Sequence, residues 1–143
     1  RLLSVRPDGT GDVTKTHVLW KRETKHTDHI VSPFVRGKRM LLIKGGGIAT
    51  CFATKDGESL YGPARIQNAG EYFASPVYGD GKIYVAGENG NVVVLKDGPK
   101  LDVLSVNDMG SPILGTPAIS DGTLFFRTRA GLLAVSSTEV ARK

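Results

Sequence analysis

Two histidines that flank an aspartate are the residues whose types and spacing best suit metal chemistry in this chain. His26 and His29 are three positions apart, and Asp28 lies between them. Imidazole nitrogens and carboxylate oxygens are common ligands of zinc and of other divalent metals. A structural zinc site normally has four protein ligands, however, and no second ligand pair occurs elsewhere in the sequence. We therefore predict an exposed polar loop here, with no bound metal and no cofactor.

Other patterns that can carry chemistry have structural interpretations. Gly45, Gly46 and Gly47 would cradle a phosphate only if a helix followed them, but an apolar strand-like run follows, which predicts a hairpin turn. Cys51 is the single cysteine, so it cannot form an internal disulfide and is predicted to be a small buried apolar residue. Neither paired carboxylates nor a serine, histidine and aspartate arrangement has supporting context, so no catalytic residue is predicted.

The composition is that of a globular protein with a moderate excess of positive charge. Apolar residues make up 40% of the 143 residues, charged residues make up 23%, and the net charge is +5. The basic residues are scattered, apart from loose clusters at 15–25 and 36–39, and no aromatic residues alternate with them. No run of about 18 apolar residues occurs. These features predict a solvated basic surface, no nucleic-acid partner and no membrane span.

The strongest signal is a repeat of about 42 residues. Residues 32–42, 75–85 and 116–126 each begin with serine or threonine followed by proline, and each continues through a turn into an apolar run. Their first residues are 43 and 41 positions apart. Such a period indicates a stack of similar structural units.

The turn residues inside each unit predict short antiparallel strands. The pairs Asp80-Gly81 and Asp121-Gly122 separate apolar runs, and such pairs favour two-residue hairpins because both positions adopt positive φ. Four antiparallel strands in a repeat of this length form the blade of a β-propeller, so we predict an all-β fold of four-stranded blades. The expected boundaries are an irregular lead-in at 1–12, propeller blades across 13–136 (an orphan outer strand at 16–22, a blade at 30–66, a blade at 72–106 and a partial blade at 114–136) and a tail at 137–143.

The twelve predicted strands amount to about three blades. Propellers typically have roughly four to eight blades, and three alone would leave apolar faces exposed. We therefore expect the chain either to be the C-terminal part of a larger propeller or to close a ring with a second copy.

Residues 75–92 resemble the repeat of the quinoprotein-like propellers, the family named for enzymes that use pyrroloquinoline quinone (PQQ). The shared pattern is a small residue, proline, two apolar residues, a turn, an apolar strand and an acidic-polar-glycine turn. Family blades often end in a threonine-glycine turn with a tryptophan four residues after the glycine. Gly57 leads to Tyr61 at that spacing, and Trp20 follows Thr16 in the same way. The turn after the second unit has no such aromatic residue.

What this resemblance implies about function is limited, because proteins that share a fold differ in activity. The alcohol and glucose dehydrogenases of the family hold PQQ with Ca²⁺ through carboxylate and amide ligands, and the alcohol enzymes also use adjacent cysteines. No such ligand set can be mapped onto this sequence, which has one cysteine. Other relatives share the blade, bind no quinone and act as scaffolds. The resemblance covers roughly residues 13–136 and extends to bacterial secreted proteins, which implies an extracytoplasmic location.

These features favour a non-catalytic module that acts as a binding or protein-interaction scaffold. Two alternatives stay open: part of a PQQ-dependent dehydrogenase whose catalytic residues lie in other blades, and a carbohydrate-binding propeller. The expected partners are a protein or a glycan, together with the remaining blades or a second copy. The loops between blades are the expected binding surface, because rigid strands hold them. The candidate residues in these loops are His26, Asp28, His29, Asn68, Glu71, Tyr72, Asn107 and Asp108.

Overall fold

The computed structural model describes residues 1–23, 31–67 and 70–137. These ranges form an all-β structure of antiparallel sheets, which confirms the predicted fold class. One turn of 3-10 helix at Gly45–Gly47 is present, and the described ranges contain no helix of the length and apolarity needed to cross a membrane. The strands are β1 (Leu2–Val5), β2 (Val18–Arg22), β3 (Phe34–Arg36), β4 (Arg39–Lys44), β5 (Ile48–Ala53), β6 (Ser59–Arg65), β7 (Val77–Gly79), β8 (Lys82–Ala86), β9 (Asn91–Lys96), β10 (Val103–Asp108), β11 (Ala118–Ser120), β12 (Thr123–Arg127) and β13 (Leu132–Ser136).

Three of the sheets are blades in which each strand pairs with the next strand along the chain. Blade 1 consists of β3 to β6, blade 2 of β7 to β10 and blade 3 of β11 to β13. Because the strands are consecutive and antiparallel, the first and third turns of a blade lie at one end of the sheet, which is termed the turn face. The second turn and the segment that leads to the next blade lie at the other end, which is termed the connector face.

The fourth sheet is an N-terminal hairpin that the sequence did not predict. β1 and β2 pair antiparallel, with Leu3 opposite Lys21 and Ser4 opposite Trp20. The irregular lead-in expected at 1–12 is therefore wrong for β1, and β2 is not an orphan strand. The described strands number thirteen instead of twelve. β1 has only four residues, and the Asp8-Gly9 pair that follows it is separated from β2 by residues 10–17, so the pattern does not match a two-residue hairpin that pairs the two strands.

The blade hairpins adopt the backbone conformation that their turn residues predict. Asp80 and Gly81 have φ angles of +49° and +71°, and Asp121 and Gly122 have φ angles of +47° and +73°. Positive φ at both central positions matches the right-handed twist of the flanking strands. The predicted aspartate-glycine hairpins are therefore confirmed.

Two apolar clusters form the core, and each fills the space between neighbouring blades. Side chains alternate along a strand, and residues paired across two strands share a face. Ile43 and Val85 belong to the cluster between blades 1 and 2, whereas Ala86 and Phe126 belong to the cluster between blades 2 and 3. Blade 2 is therefore buried on both of its faces, which explains the continuous apolar run of β9.

A repeated hydrogen bond joins the blades at the residue that opens each unit. The backbone N–H of Ser32 donates to the Ser75 hydroxyl over 3.1 Å, and the backbone N–H of Ser75 donates to the Thr116 hydroxyl over 3.0 Å. Each hydroxyl thus satisfies a backbone donor of the preceding unit. This contact is a physical reason for serine or threonine before the proline of the repeat.

Candidate functional site

Half of the binding residues proposed from the sequence lie outside the described part of the chain. These residues are His26, Asp28, His29 and Asn68. Within residues 1–23, 31–67 and 70–137, no three histidine, cysteine, aspartate or glutamate side chains are grouped to hold a metal ion. The remaining candidates lie in the connector after blade 1 and at the end of β10.

Tyr72 is a core residue, so the expectation that it forms part of an exposed binding surface is corrected. Its side chain is 3% exposed and packs in the cluster between blades 1 and 2. Burial raises the pKa of its phenol to about 12. The connector passes between the two blades, and the aromatic ring fills the space between their sheets.

Glu71 is exposed and contacts two turns of the connector face. Its backbone carbonyl accepts a hydrogen bond from the N–H of Glu88 over 2.8 Å, which joins the connector to blade 2. Its carboxylate lies against the turn of blade 1, because a Cβ built on Gly45 would be 2.5 Å from Glu71 Oε2. Glycine at position 45 therefore leaves room for this carboxylate.

Asn107 and Asp108 lie in the last strand of blade 2, whereas the sequence predicted them in a loop. Asn107 Nδ2 donates to Ser105 Oγ over 3.1 Å, and Asp108 Oδ1 accepts a hydrogen bond from the N–H of Gly110 over 2.7 Å. The second bond closes a turn in which an aspartate accepts from the backbone two residues further on. Both residues are exposed, and their role in binding stays a prediction.

The charged site with the clearest geometry lies on the turn face, in a crevice between blades 1 and 2. The Asp97 carboxylate, in the turn after β9, accepts hydrogen bonds from Arg36 Nε over 2.6 Å and from Arg39 Nη2 over 2.7 Å. The Arg36 guanidinium lies 3.8 Å from the ring centroid of Tyr78. The ring of Phe34 stacks on the same tyrosine, with centroids 6.4 Å apart. Two cations of blade 1 therefore hold a carboxylate and an aromatic ring of blade 2.

Burial and hydrogen bonding shift the pKa of Asp97 in opposite directions. The Asp97 side chain is 11% exposed. Burial alone would raise the pKa of the carboxyl group, but the hydrogen bonds from Arg39 and Arg36 outweigh it and hold the pKa below its usual value. The hydrogen bond to Asp97 in turn raises the pKa of the Arg39 guanidinium. The carboxylate is thus ionised and neutralised by two arginines. This arrangement, termed the Asp97 clasp, holds two blades together.

Cys51 and Tyr61 line the same crevice. Burial raises the pKa of the Cys51 thiol, and burial together with the neighbouring Cys51 raises the pKa of Tyr61 to about 12. A thiol with a raised pKa is a poor nucleophile at neutral pH, because the thiolate is the reactive form. The prediction that Cys51 is a buried apolar residue is confirmed.

Replacing Asp97 with alanine is expected to lower the free energy of unfolding by about 2–3 kcal/mol, because two charged hydrogen bonds between blades are lost. Urea denaturation measures the change. Asp102→Ala is the matched control, because Asp102 lines the same crevice but takes part in no ion pair within the described residues. Equal effects of the two substitutions would contradict the clasp.

Acid is expected to weaken the contact between blades 1 and 2 through the same carboxylate. The pKa of Asp97 is lowered from 3.8 in the folded protein, so the unfolded chain binds its proton first as the pH falls. The stabilisation by Asp97 is therefore fully present at pH values above 3.8, the pKa of the unfolded chain. It is lost as the pH falls through the lower pKa of the folded protein. Urea midpoints measured from neutral pH downwards should fall less steeply with acid in Asp97→Asn than in the unsubstituted chain. If the urea midpoints of the two proteins fall in parallel as the pH is lowered, Asp97 does not contribute to the loss of stability in acid.

Trp20 docks the N-terminal hairpin on blade 1. Its indole Nε1 donates to the carbonyl of Thr54 over 2.8 Å. Its ring covers Gly57, where a Cβ would be 2.7 Å from Trp20 Cε3. Tyr61 lies at the equivalent position of β6 and lines the crevice beside Gly98 in the turn of blade 2. At Trp20, the aromatic spacing in the sequence therefore marks a ring placed against the turn of the following sheet.

An exposed leucine precedes each of these aromatic positions on the outer strands, a feature that the sequence analysis missed. Leu19 precedes Trp20, Leu60 precedes Tyr61, and the register of β10 puts Leu104 at the equivalent position of blade 2. Their side chains are 58%, 46% and 49% exposed. These three residues are termed the leucine rim. For Leu19 and Leu60 the available signal was a leucine before the docking aromatic residue, whereas Leu104 precedes Ser105 and had no such signal. The exposure of all three requires knowing that each strand is the outermost of its sheet.

Comparisons with known proteins agree with the fold. No protein-family model matches the sequence, and the comparison with curated proteins gives no match. Among solved structures, the chain is similar to BamB from Moraxella catarrhalis, with a TM-score of 0.66 and 17% sequence identity. The match covers 83% of this chain and 36% of the BamB chain, so this chain spans about a third of the length of BamB. At this identity the likeness shows the fold alone, which is an all-β fold of propeller blades.

Proposed function

We propose that this chain is a non-catalytic part of a β-propeller that acts as a scaffold for protein partners outside the cytoplasm. The leucine rim is the observation that carries the proposal. Leu19, Leu60 and Leu104 occupy one structural position in three successive sheets, and each is about half exposed. An exposed leucine gains little from folding, whereas it gains apolar burial when a partner covers it. A recurring exposed leucine therefore favours a contact surface along the rim.

The outer strand of blade 2 is suited to a polypeptide partner. β10 is the edge strand of its sheet, and all six of its residues are exposed. Leu104 lies at a bulge between Val103 and Ser105, and both Leu104 and Val106 are exposed apolar side chains of this strand. An extended segment that pairs with such an edge forms backbone hydrogen bonds while its side chains contact the exposed apolar residues.

The charged residues support a scaffold in a second way, because the best-defined carboxylate serves blade packing. Asp97 is neutralised by Arg36 and Arg39 across the blade contact. This carboxylate is thus occupied by the blade contact, and the resemblance to secreted propeller proteins supports a location outside the cytoplasm.

Site-specific photo-crosslinking in the native host tests the scaffold proposal. A benzophenone amino acid introduced singly in place of Leu19, Leu60 or Leu104 is expected to form an adduct with one and the same protein. Leu114 is the matched control position, because it is 44% exposed but lies outside the outer strands. Replacing all three rim leucines with serine should abolish co-purification of that protein. Adducts of equal yield from the control position, or none from the rim, would contradict the proposal.

The two other functions predict different results with purified protein. We expect no reduction of an electron-accepting dye when PQQ, Ca²⁺ and an alcohol or sugar are added. Dye reduction would identify a dehydrogenase and overturn the scaffold proposal. Saturable binding to a glycan array without turnover would instead favour the carbohydrate-binding propeller.

A further inference from the structure

The outer flank of blade 3, which is the face turned away from blade 2, differs in charge from the flanks of the other blades. Leu124 and Phe126 of β12 face blade 2, since both pack in the cluster between those blades. Side chains alternate along a strand, so Phe125 and Arg127 are on the opposite face. Leu132 shares that face, because it pairs with Arg127 across β12 and β13.

The strand registers show which residues occupy the equivalent position in the other blades. Each blade has one cross-strand pair at the connector end of its second and third strands, on the flank that faces the next blade. The pairs are Ile43–Ala49 in blade 1, Ala86–Val92 in blade 2 and Arg127–Leu132 in blade 3. Ile43 is 1% exposed and Ala86 is 0% exposed, whereas Arg127 is exposed and Leu132 is 71% exposed. An arginine therefore stands where the other blades bury an apolar side chain.

Wherever a following blade is present, this position is covered by one side chain of that blade and one of the segment that leads into it. Ile113, which precedes blade 3, and Phe126 of blade 3 pack in the cluster that buries Ala86. Their counterparts are Tyr72, in the connector that precedes blade 2, and Val85 of blade 2, which pack in the cluster between blades 1 and 2. All four are apolar or aromatic and suit an apolar partner. A guanidinium at the same position requires a partner that carries a carboxylate.

Covering Arg127 in the same way removes water from its guanidinium. A buried cation is costly unless a carboxylate pairs with it, and the planar guanidinium is well matched to a carboxylate. The ion pairs formed within residues 1–23, 31–67 and 70–137 do not include Arg127. A partner that covers the flank is therefore expected to supply the pairing carboxylate.

We infer that the outer flank of blade 3 binds a further blade of the same repeat, and that this blade carries an aspartate or glutamate facing Arg127. The carboxylate replaces the side chain that Ile113 or Phe126 supplies in blade 3. The remaining contact is apolar and includes Leu132. Continuity of the blade contacts favours this occupant, because the hydroxyl bond from Ser75 to Thr116 repeats the bond from Ser32 to Ser75.

The arginine also determines which blade fits. A blade with an apolar residue opposite Arg127 leaves the guanidinium buried without a partner, and such a mismatch selects against it. An acidic blade is accepted, so this one cation favours a particular blade at this flank. This inference concerns the flank of blade 3 and does not depend on the leucine rim, which lies on the outer strands.

Zero-length crosslinking identifies the facing carboxylate. The complete natural polypeptide that contains these residues is prepared with Arg127→Lys, which retains the positive charge and introduces an amine. A water-soluble carbodiimide then couples that amine to a contacting carboxylate, and peptide mass spectrometry locates the link. Arg129→Lys is the matched control, because Arg129 is exposed two positions away in the second turn of blade 3. We expect a link from position 127 to an acidic residue at the predicted position of another blade, and none to that residue from position 129.

Charge reversal provides a second readout in the same complete polypeptide. Arg127→Glu is expected to reduce the folding equilibrium constant by about 100-fold or more, because two carboxylates then face each other in a buried contact. Arg127→Leu is expected to reduce it less. Equal effects of these two substitutions would overturn the inference. A link from position 127 that leads only to a carboxylate of a second copy, or no link beyond the Arg129→Lys control, would also overturn it.

Discussion

Phe126→Ala is expected to lower the free energy of unfolding by about 3–5 kcal/mol, because the substitution leaves a cavity in a closed contact between two blades. The Phe126 side chain is 1% exposed and is the largest fully buried side chain of the described residues. It packs with Ala86, Val92 and Ile113 between blades 2 and 3. Urea denaturation followed by circular dichroism and by hydrogen exchange should show that β11 to β13 lose protection first.

Phe125→Ala is the control for this experiment, since the two phenylalanines are adjacent in β12 and lie on opposite faces. In the 143-residue chain, Phe125→Ala should lower the free energy of unfolding by about 1 kcal/mol, because the Phe125 ring is not enclosed. A cost as large as that of Phe126→Ala would contradict the assignment of the two faces. In the complete polypeptide the cost of Phe125→Ala should rise if a further blade covers the flank.

Gly62→Ala is expected to lower the free energy of unfolding by about 3 kcal/mol, because the position combines a strained backbone with a direct steric conflict. Gly62 has a φ angle of +90°, which L side chains rarely adopt. A Cβ at this position would also collide with the backbone carbonyl oxygen of Ala49 on β5. The pairing of β5 with β6 is irregular between Ala49 and Cys51, so the glycine permits a bulge in the outer strand.

Gly122→Ala separates the two causes. Gly122 has a φ angle of +73°, but a Cβ there would have no neighbour within 4 Å. Its substitution should therefore cost only the backbone term, about 1–2 kcal/mol. Urea midpoints of the two variants, measured side by side, should differ clearly. If both variants lose the same stability, the close approach of β5 to β6 at Gly62 does not limit this position.

The part of the fold that could be predicted from the sequence is the part that depends on neighbouring residues. The pair Asp80-Gly81 forms its turn through its own backbone preferences, so its hairpin was predictable. The repeat added the number of strands in each blade. β1 was not predictable, because four residues with a long connection gain their pairing only when β2 is already in place.

The candidate site was less predictable, because exposure depends on what lies opposite a residue. Tyr72 looked like part of a polar loop, yet the neighbouring blade encloses it. The importance of Asp97 could not be predicted, because Arg36 and Arg39, which neutralise it, are about sixty positions earlier in the sequence. Leu104 is identified as a rim residue only by the register of β10, which makes it equivalent to Leu60.

The sequence by itself determined the all-β class, the repeating unit, the hairpin turns and the aromatic residue that docks one sheet on the next. Each of these depends on local backbone preference or on a spacing that recurs along the chain. Only the tertiary structure decided which faces are covered, which charges are paired and which leucines remain exposed. Packing between sheets brings together residues that are distant in sequence, and a pattern read along one chain contains no record of those contacts.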